Sequence, residues 1–288
     1  MMESNVLKEP VPIYSADDGL FTPEIGSWGV QKYRLVGMYN ELFSKGMKER
    51  WDRRVYIDLF AGSGKARLRD SGRVVLGSPL LALAVPNPYD RYIFCEQDSD
   101  AMNALKQRVS TLNTNLDVHF VDGDCNEQID RIISKIPHYS SGTKVLSFCF
   151  VDPFSLDIHF QTIGKLGNYI LDFLILLMLS DPMRNEDRYT EENSKRIELF
   201  LGVRDWREKW KSAKSRNMGI RQFLATEFAN QMIMLGYREE ALSSMVEVRS
   251  DDRNLPLYHL AFFSKHPLGY KFWNEVRKYA TDQTSFEF

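Results

Sequence analysis

Residues 55–66 read VYIDLFAGSGKA. Val55, Tyr56 and Ile57 are β-branched or aromatic, and small residues and a lysine follow, so the stretch reads as a strand running into a tight glycine-bearing loop. Two familiar phosphate loops are disfavoured by their neighbours. A Walker loop needs G-x-x-x-x-G-K-[ST], but Leu59 and Ala66 stand at the first glycine and at the metal-binding hydroxyl. The dinucleotide fingerprint G-x-G-x-x-G is met by Gly62 and Gly64, whereas Arg67 occupies the third position, where close helix–strand packing asks for glycine. What fits is D-x-F-x-G-x-G across Asp58, Phe60, Gly62 and Gly64. Glycines let a backbone pass beneath a ligand and offer N–H groups to a carboxylate, while Asp58 is available to meet an ammonium group.

Outward from this loop, apolar β-rich runs alternate with segments of helical period. Strands are expected at 54–60, 91–96, 117–123, 145–152 and 172–179. Between them, 98–112 places Met102, Leu105, Val109 and Leu112 on one helical face behind an Asp/Ser cap, and 126–136 does the same with Ile129, Ile132, Ile133 and Ile136. Residues 181–217 are charged and break the rhythm. A helix over 220–235 ends at Gly236, and SSMVEVRS and PLYHLAFFS, joined by DDRNL, read as an antiparallel hairpin before a final amphipathic helix. The fold class expected is α/β, a mostly parallel sheet with a C-terminal antiparallel hairpin plus a helical insertion. Such a sheet resembles the Rossmann-like class I fold of the S-adenosylmethionine (SAM)-dependent methyltransferases. The corresponding divisions are an N-terminal segment and helix (1–53), a SAM-binding core (54–180), the insertion (181–217) and the C-terminal part of the core (218–288).

Bulk properties narrow the class. With 288 residues and 43% hydrophobic content the chain can bury a large core, and a net charge of −2 argues against nucleic-acid binding by overall charge. The longest apolar run, Phe173 to Leu179, is too short to cross a bilayer, and MMESNVLKEP lacks the pattern of a signal peptide. Cys95, Cys125 and Cys149 form no CxxC or paired framework, and the five histidines show no metal spacing. A cytoplasmic protein with no membrane contact and no metal is expected.

Three further strand ends carry polar groups. Glu96 ends the second strand, where a carboxylate accepts both ribose hydroxyls, and Gln97 is assigned to the same cofactor; the alternative is that Glu96 only caps the next helix. GDCNEQ follows the third strand, with Asp124 for the adenine amino group and Cys125 and Asn126 lining the base, against the alternative of a ligand-free turn. The fourth strand ends in FVDPF (150–154). It is similar to the D-P-P-Y stretch of amino-methylating enzymes with one proline missing, so Asp152, Pro153 and Phe154 are the catalytic candidates, Asp152 accepting an amine hydrogen and Phe154 stacking on a base, against the alternative of a turn with no catalytic role. Lys32, on a helix before the first strand, is a candidate for the cofactor carboxylate. Ser78 reads as a helix N-cap before Pro79, with its hydroxyl near the cofactor tail. The basic stretches KARLRDSGR (65–73) and REKWKSAKSR (207–216) are candidate phosphate contacts or plain solvated surface.

Trp28 and Lys32, YIDLFAGSG, GSPLLAL, GDCNEQI, FVDPF and LYHLAFFSKHPLGYKFW together resemble the three-Cys-motif partner (TcmP) family, over nearly the whole chain. The resemblance implies a SAM-dependent methyltransferase-like fold in bacterial or phage-linked proteins, with a partner of radical-SAM type that carries the three cysteines. The chain departs from the family at Ser155, where glycine is common, and at Ser63. The function expected is SAM-dependent methyl transfer to a nucleic-acid base or nucleotide. The alternatives are a non-catalytic SAM- or nucleotide-binding partner and a phage-defence effector.

Overall fold

The computed structural model describes residues 13–112, 115–249 and 255–279. The stretch MMESNVLKEP, most of the DDRNL turn and Ala280 of the final helix lie outside the described residues. In chain order the elements begin with β1 (Tyr14–Ser15), β2 (Glu24–Ile25), α1 (Trp28–Met47), β3 (Arg53–Asp58), β4 (Lys65–Leu68), β5 (Val74–Leu76) and α2 (Ser78–Leu83). There follow β6 (Arg91–Glu96), α3 (Ser99–Ser110), β7 (Val118–Asp122), α4 (Ile129–Ile133), β8 (Val145–Val151), α5 (Phe160–Gly167) and β9 (Leu171–Leu177). The segment after β9 folds as α6 (Ser180–Arg184), α7 (Glu186–Thr190), α8 (Arg196–Leu201) and α9 (Trp206–Ser215). The chain continues through α10 (Ile220–Met234), a short 3₁₀ turn, β10 (Val246–Arg249), β11 (Pro256–Phe263) and α11 (Pro267–Arg277).

A seven-stranded sheet runs in the order β10-β11-β9-β8-β3-β6-β7. Its five central and far strands are parallel, and β11 lies antiparallel between β9 and β10, pairing His259 with Leu177 through to Phe263 with Phe173. From β3 the chain moves to β6 on one side and later to β8 on the other, so the order reverses at β3, the place where open α/β sheets bind ligands. Strands covered on both faces carry apolar residues without alternation, and β8 and β9 are buried at every position.

Val55, Ile57, Cys149, Val151, Phe173 and Ile175 face one core, closed by α4, α5 and α7–α10. Tyr56, Phe94, Phe148, Phe150, Leu174 and Phe262 face the other, closed by α1–α3 and α11. Aromatic rings knit this second layer: Tyr39 of α1 lies 4.8 Å from Phe148 and 4.9 Å from Phe262, and Phe262 stacks on Trp273 at 5.6 Å.

One region departs from the expected loop. Residues 65–76 form a hairpin, β4 against β5, and β1 and β2 extend it to a small sheet in the order β1-β5-β4-β2. The cause is local: Ala66 and Leu68 point inward while Lys65 and Arg67 point outward, a period of two, and Gly72 takes φ of +66° to close the turn.

Candidate functional site

A cavity opens at the carboxyl ends of β3, β6, β8 and β9. It is lined by Phe60, Gly62, Ser63, Gly64, Ser78, Glu96, Gln97, Asp152, Pro153 and Phe154, by Trp28, Lys32 and Tyr33 of α1, and by Pro23, Glu24 and Ile25 from the small sheet. Residues read from four separate stretches of sequence therefore share one wall.

The glycine loop is built for close approach. Gly62 takes φ of +61° and Gly64 +84°, a backbone region that side chains disfavour. A Cβ on Gly64 would come within 2.9 Å of Leu105, so this glycine also seats the loop on α3. A Cβ on Gly62 would meet nothing within 4 Å. The loop thus presents bare backbone to open space at Gly62 and packs tightly at Gly64. Glu96 fixes the far side: its carboxylate accepts the Gly62 N–H at 2.7 Å and the Asp98 N–H at 2.8 Å. Asp98 itself caps α3 through the N–H groups of Asp100 and Ala101. Glu96 thus ties down the turn while lining the cavity, and the capping of α3 falls to Asp98.

Asp58 does not line the cavity. It is fully buried, and its carboxylate accepts the Tyr56 hydroxyl at 3.2 Å and the Phe60 N–H at 3.3 Å. Burial pushes its pKa up to about 7; the Ser78 hydroxyl pulls the other way and the charge of Asp152 adds to the rise. Asp58 therefore holds the glycine loop from beneath. Ser78 is the first helical residue of α2 rather than its cap, a place taken by Gly77.

Lys32 lines the cavity from α1, as expected of its place before the first strand, and there it is paired with Asp152. Its ammonium sits 2.5 Å from Asp152 Oδ2, with the Tyr33 ring centroid at 4.5 Å and the Trp28 centroid at 5.4 Å. Burial alone would discharge this lysine, but Asp152 more than compensates, so its pKa is raised and the charge is kept. Phe154, two residues beyond Asp152, is 87% exposed at the cavity mouth. The loop that carries it is anchored by Ser155, whose hydroxyl meets the Tyr189 hydroxyl at 2.7 Å, and Tyr189 in turn donates to Asp181. Two short helices after β9 thus hold this loop in place.

The third strand end is not brought to this cavity. Asp124 accepts the Asn126 N–H through its side chain and the Glu127 and Gln128 N–H groups through its carbonyl. Cys125 is buried among core residues, and burial pushes its thiol well up. Asn126 ties down the segment after β8 through Asp157 O, His159 N and Thr162 Oγ1. Short polar side chains in a turn have their hydrogen-bonding capacity taken up locally, and that is the outcome here.

The two basic stretches are likewise engaged by the protein. Lys65 pairs with Asp18 and Arg67 with Asp17, and Arg73 lies over the Tyr14 ring. In α9, Lys209 pairs with Glu227 and Lys214 with Glu186, while Trp206 and Trp210 are buried.

Sequence reading missed one group that shapes the site. Arg108 of α3, 3% exposed at its side chain, takes Asp18 in a two-pronged contact (2.9 and 2.8 Å) and donates to Phe21 O, Thr22 Oγ1 and Ser63 O. It clamps the segment before α1 across the glycine loop. The signal was present: Arg108 lies three residues after Leu105, on the apolar face of the helix.

No protein-family model matches the chain, and no curated protein matches it. Among solved structures it is similar to LPL1258 from Legionella pneumophila str. Philadelphia 1, family-model DUF519. The two are 11% identical at a TM-score of 0.50, over 86% of this chain and 90% of that one. It also matches Trm1 from Pyrococcus horikoshii, in a complex with S-adenosyl-L-methionine, at 8% identity and a TM-score of 0.40, over 84% of this chain and 57% of that one. Likeness at such identities is one of fold. With its seven strands, reversal at β3 and antiparallel β11, the chain has the Rossmann-like methyltransferase fold.

Proposed function

We propose that the protein is a SAM-dependent methyltransferase acting on a nucleic-acid base or nucleotide. The observation that carries this reading is a single cavity at the sheet's switch point, shared by a bare glycine loop, Glu96, Asp152 and the protruding Phe154. The residues fit the cofactor: positive-φ Gly62 borders open space that an amino-acid carboxylate can enter, and the presence of Glu96 and Gln97 in the cavity lining supports a role for them as acceptors of the ribose hydroxyls. SAM, when bound, supplies the methyl group. Phe154 offers a face for base stacking, which contributes about 1–3 kcal/mol per base. Asp152 takes the acceptor's N–H and orients its lone pair.

The finer expectations travel with this proposal: membership of the TcmP family, a radical-SAM-like partner and a cytoplasmic setting. Among the described residues no helix is long and apolar enough to cross a membrane. Isothermal titration with SAM and with its demethylated product tests the reading. Micromolar binding, lost in Glu96→Ala, is the expected result; absence of heat with both ligands overturns it. A second reading, a SAM-binding partner without catalysis, is favoured by the ion pair that already engages Asp152, and methyl transfer by the purified chain overturns that alternative.

A further inference from the structure

We propose that Lys32 is a specificity-determining residue of the acceptor subsite. Together with Asp152 it selects a lactam nitrogen, the ring N–H beside a carbonyl in guanine, uracil or hypoxanthine, over the exocyclic amines of adenine and cytosine. The inference rests on the methyltransferase reading above and extends it to the atom that is methylated.

An exocyclic amine needs only a carboxylate, which draws on one N–H and leaves the lone pair facing the sulfonium. A fixed ammonium on that carboxylate works against the reaction in two ways. It neutralises the negative charge of Asp152, and it donates to the neighbouring ring nitrogen, drawing electron density away from the amine. For a lactam the same two groups cooperate. The ring N–H proton passes to Asp152, and negative charge moves onto the adjacent carbonyl oxygen, where an ammonium 2.5 Å from the carboxylate stabilises it. The nitrogen lone pair then attacks the methyl carbon, and the C–S bond breaks with its electrons to sulfur. Asp152 afterwards releases its proton to water.

Three observations support this arrangement. Lys32 and Asp152 line the same cavity as Phe154. Asp152 is bound through Oδ2 alone, and its Oδ1 has no hydrogen-bond partner among the described residues. Lys32 is held by aromatic faces and is only 5% exposed, against 17% for Asp152, so the ammonium belongs to the subsite wall and the carboxylate is the more accessible partner.

The test is a product map. The full chain is incubated with methyl-deuterated SAM and, separately, with total bacterial RNA and with genomic DNA; nucleosides from the digests are then resolved by mass spectrometry. Label on a lactam ring nitrogen is the expected result. In Lys32→Met the labelling rate falls about 100-fold or more, the size of losing one preorganised charge donor, while SAM affinity stays within about threefold, and Lys32→Arg recovers part of the rate. Label on the exocyclic nitrogen of adenine or cytosine, or on any other atom, overturns the inference and leaves the methyltransferase reading standing. Full activity in Lys32→Met does the same. No label on either nucleic acid overturns the inference and removes polymeric nucleic acid from the proposed acceptor class. If Lys32→Met fails to fold, the map from the unaltered protein still decides.

Discussion

Two ion pairs with buried cations flank the glycine loop, and they differ in how completely they are used. At Arg108 the guanidinium meets Asp18 with two nitrogens and donates to carbonyls and a hydroxyl besides, and Asp18 also receives Lys65 and the Leu20 N–H. At Lys32 a single ammonium meets a single carboxylate oxygen, with ring faces behind it. A saturated pair is scaffold, since no valence remains for a ligand. An unsaturated one inside a cavity is a site, because unfulfilled donors and acceptors await something. The difference is visible only in three dimensions, as each pair joins residues far apart in sequence, 90 and 120 positions respectively.

The contrast can be broken most sharply at Arg108. Arg108→Met takes the guanidinium from Asp18, which keeps Lys65 and the Leu20 N–H, and leaves Phe21 O, Thr22 Oγ1 and Ser63 O without this donor, so urea unfolding is expected to show a loss of about 3 kcal/mol, the upper end for buried groups left unsatisfied. A loss below about 1 kcal/mol would move the strap's anchorage elsewhere. Acid acts on the same contact. The Arg108 hydrogen bonds hold the Asp18 carboxyl well below the ordinary value of 3.8, against burial, so its stabilisation is present above 3.8 and is lost only as pH falls further.

Asp172 on β9 has the opposite sign. Burial raises its pKa from 3.8 to about 7, with Ser264 and Tyr39 opposing. Its folded-state proton stabilises the protein fully below 3.8, and that contribution is lost as pH rises through 7. Asp172→Asn is expected to flatten the pH profile of stability between about 4 and 7 by about 3 kcal/mol, read by denaturant melts at several pH values; an unchanged profile counts against the shift.

At Lys32 a smaller stability effect is expected than at Arg108. Asp152 is partly exposed and can recruit water, so Lys32→Met should lose about 2 kcal/mol in urea melts, within the range for a buried group left unsatisfied. A loss equal to that of Arg108→Met would mean that this pair, too, is scaffold. Phe154→Ala closes the series. Stability should move by less than about 0.5 kcal/mol, as for an exposed residue, while acceptor binding weakens by about 1–2 kcal/mol through lost stacking. Unchanged acceptor affinity by filter binding removes Phe154 from the site.

The sheet was legible because its central strands are covered on both faces, so RYIFCE and VLSFCFVD stand out as unbroken apolar runs. Gly62, Gly64, Glu96, Asp152 and Phe154 were legible because each lies in the loop or at the strand end nearest the switch point. The small sheet was not: K-A-R-L is four residues long, half of them cationic, and the two edge strands of the sheet, β1 on β5 and β2 on β4, are two residues each. The fate of Asp58 was hidden too, since D-x-F-x-G-x-G gives its place in the motif and not its burial beneath Ser78 and Tyr56. Asp124 and Asn126 illustrate the converse, polar residues at a strand end whose hydrogen bonds are local.

The antiparallel strand β11 has a consequence for synthesis. Until Pro256–Phe263 emerges, β9 presents Leu171–Leu177, seven residues buried in the finished protein, as a bare edge. At about 5–20 residues per second the ribosome needs roughly 4–16 seconds to travel from one strand to the other. During that interval the nascent chain carries an apolar ribbon with unpaired N–H and C=O groups, an invitation to stick to its neighbours on a crowded polysome. Trigger-factor-like holding during translation, or slower growth of the culture, is therefore the condition under which soluble yield of this protein should rise.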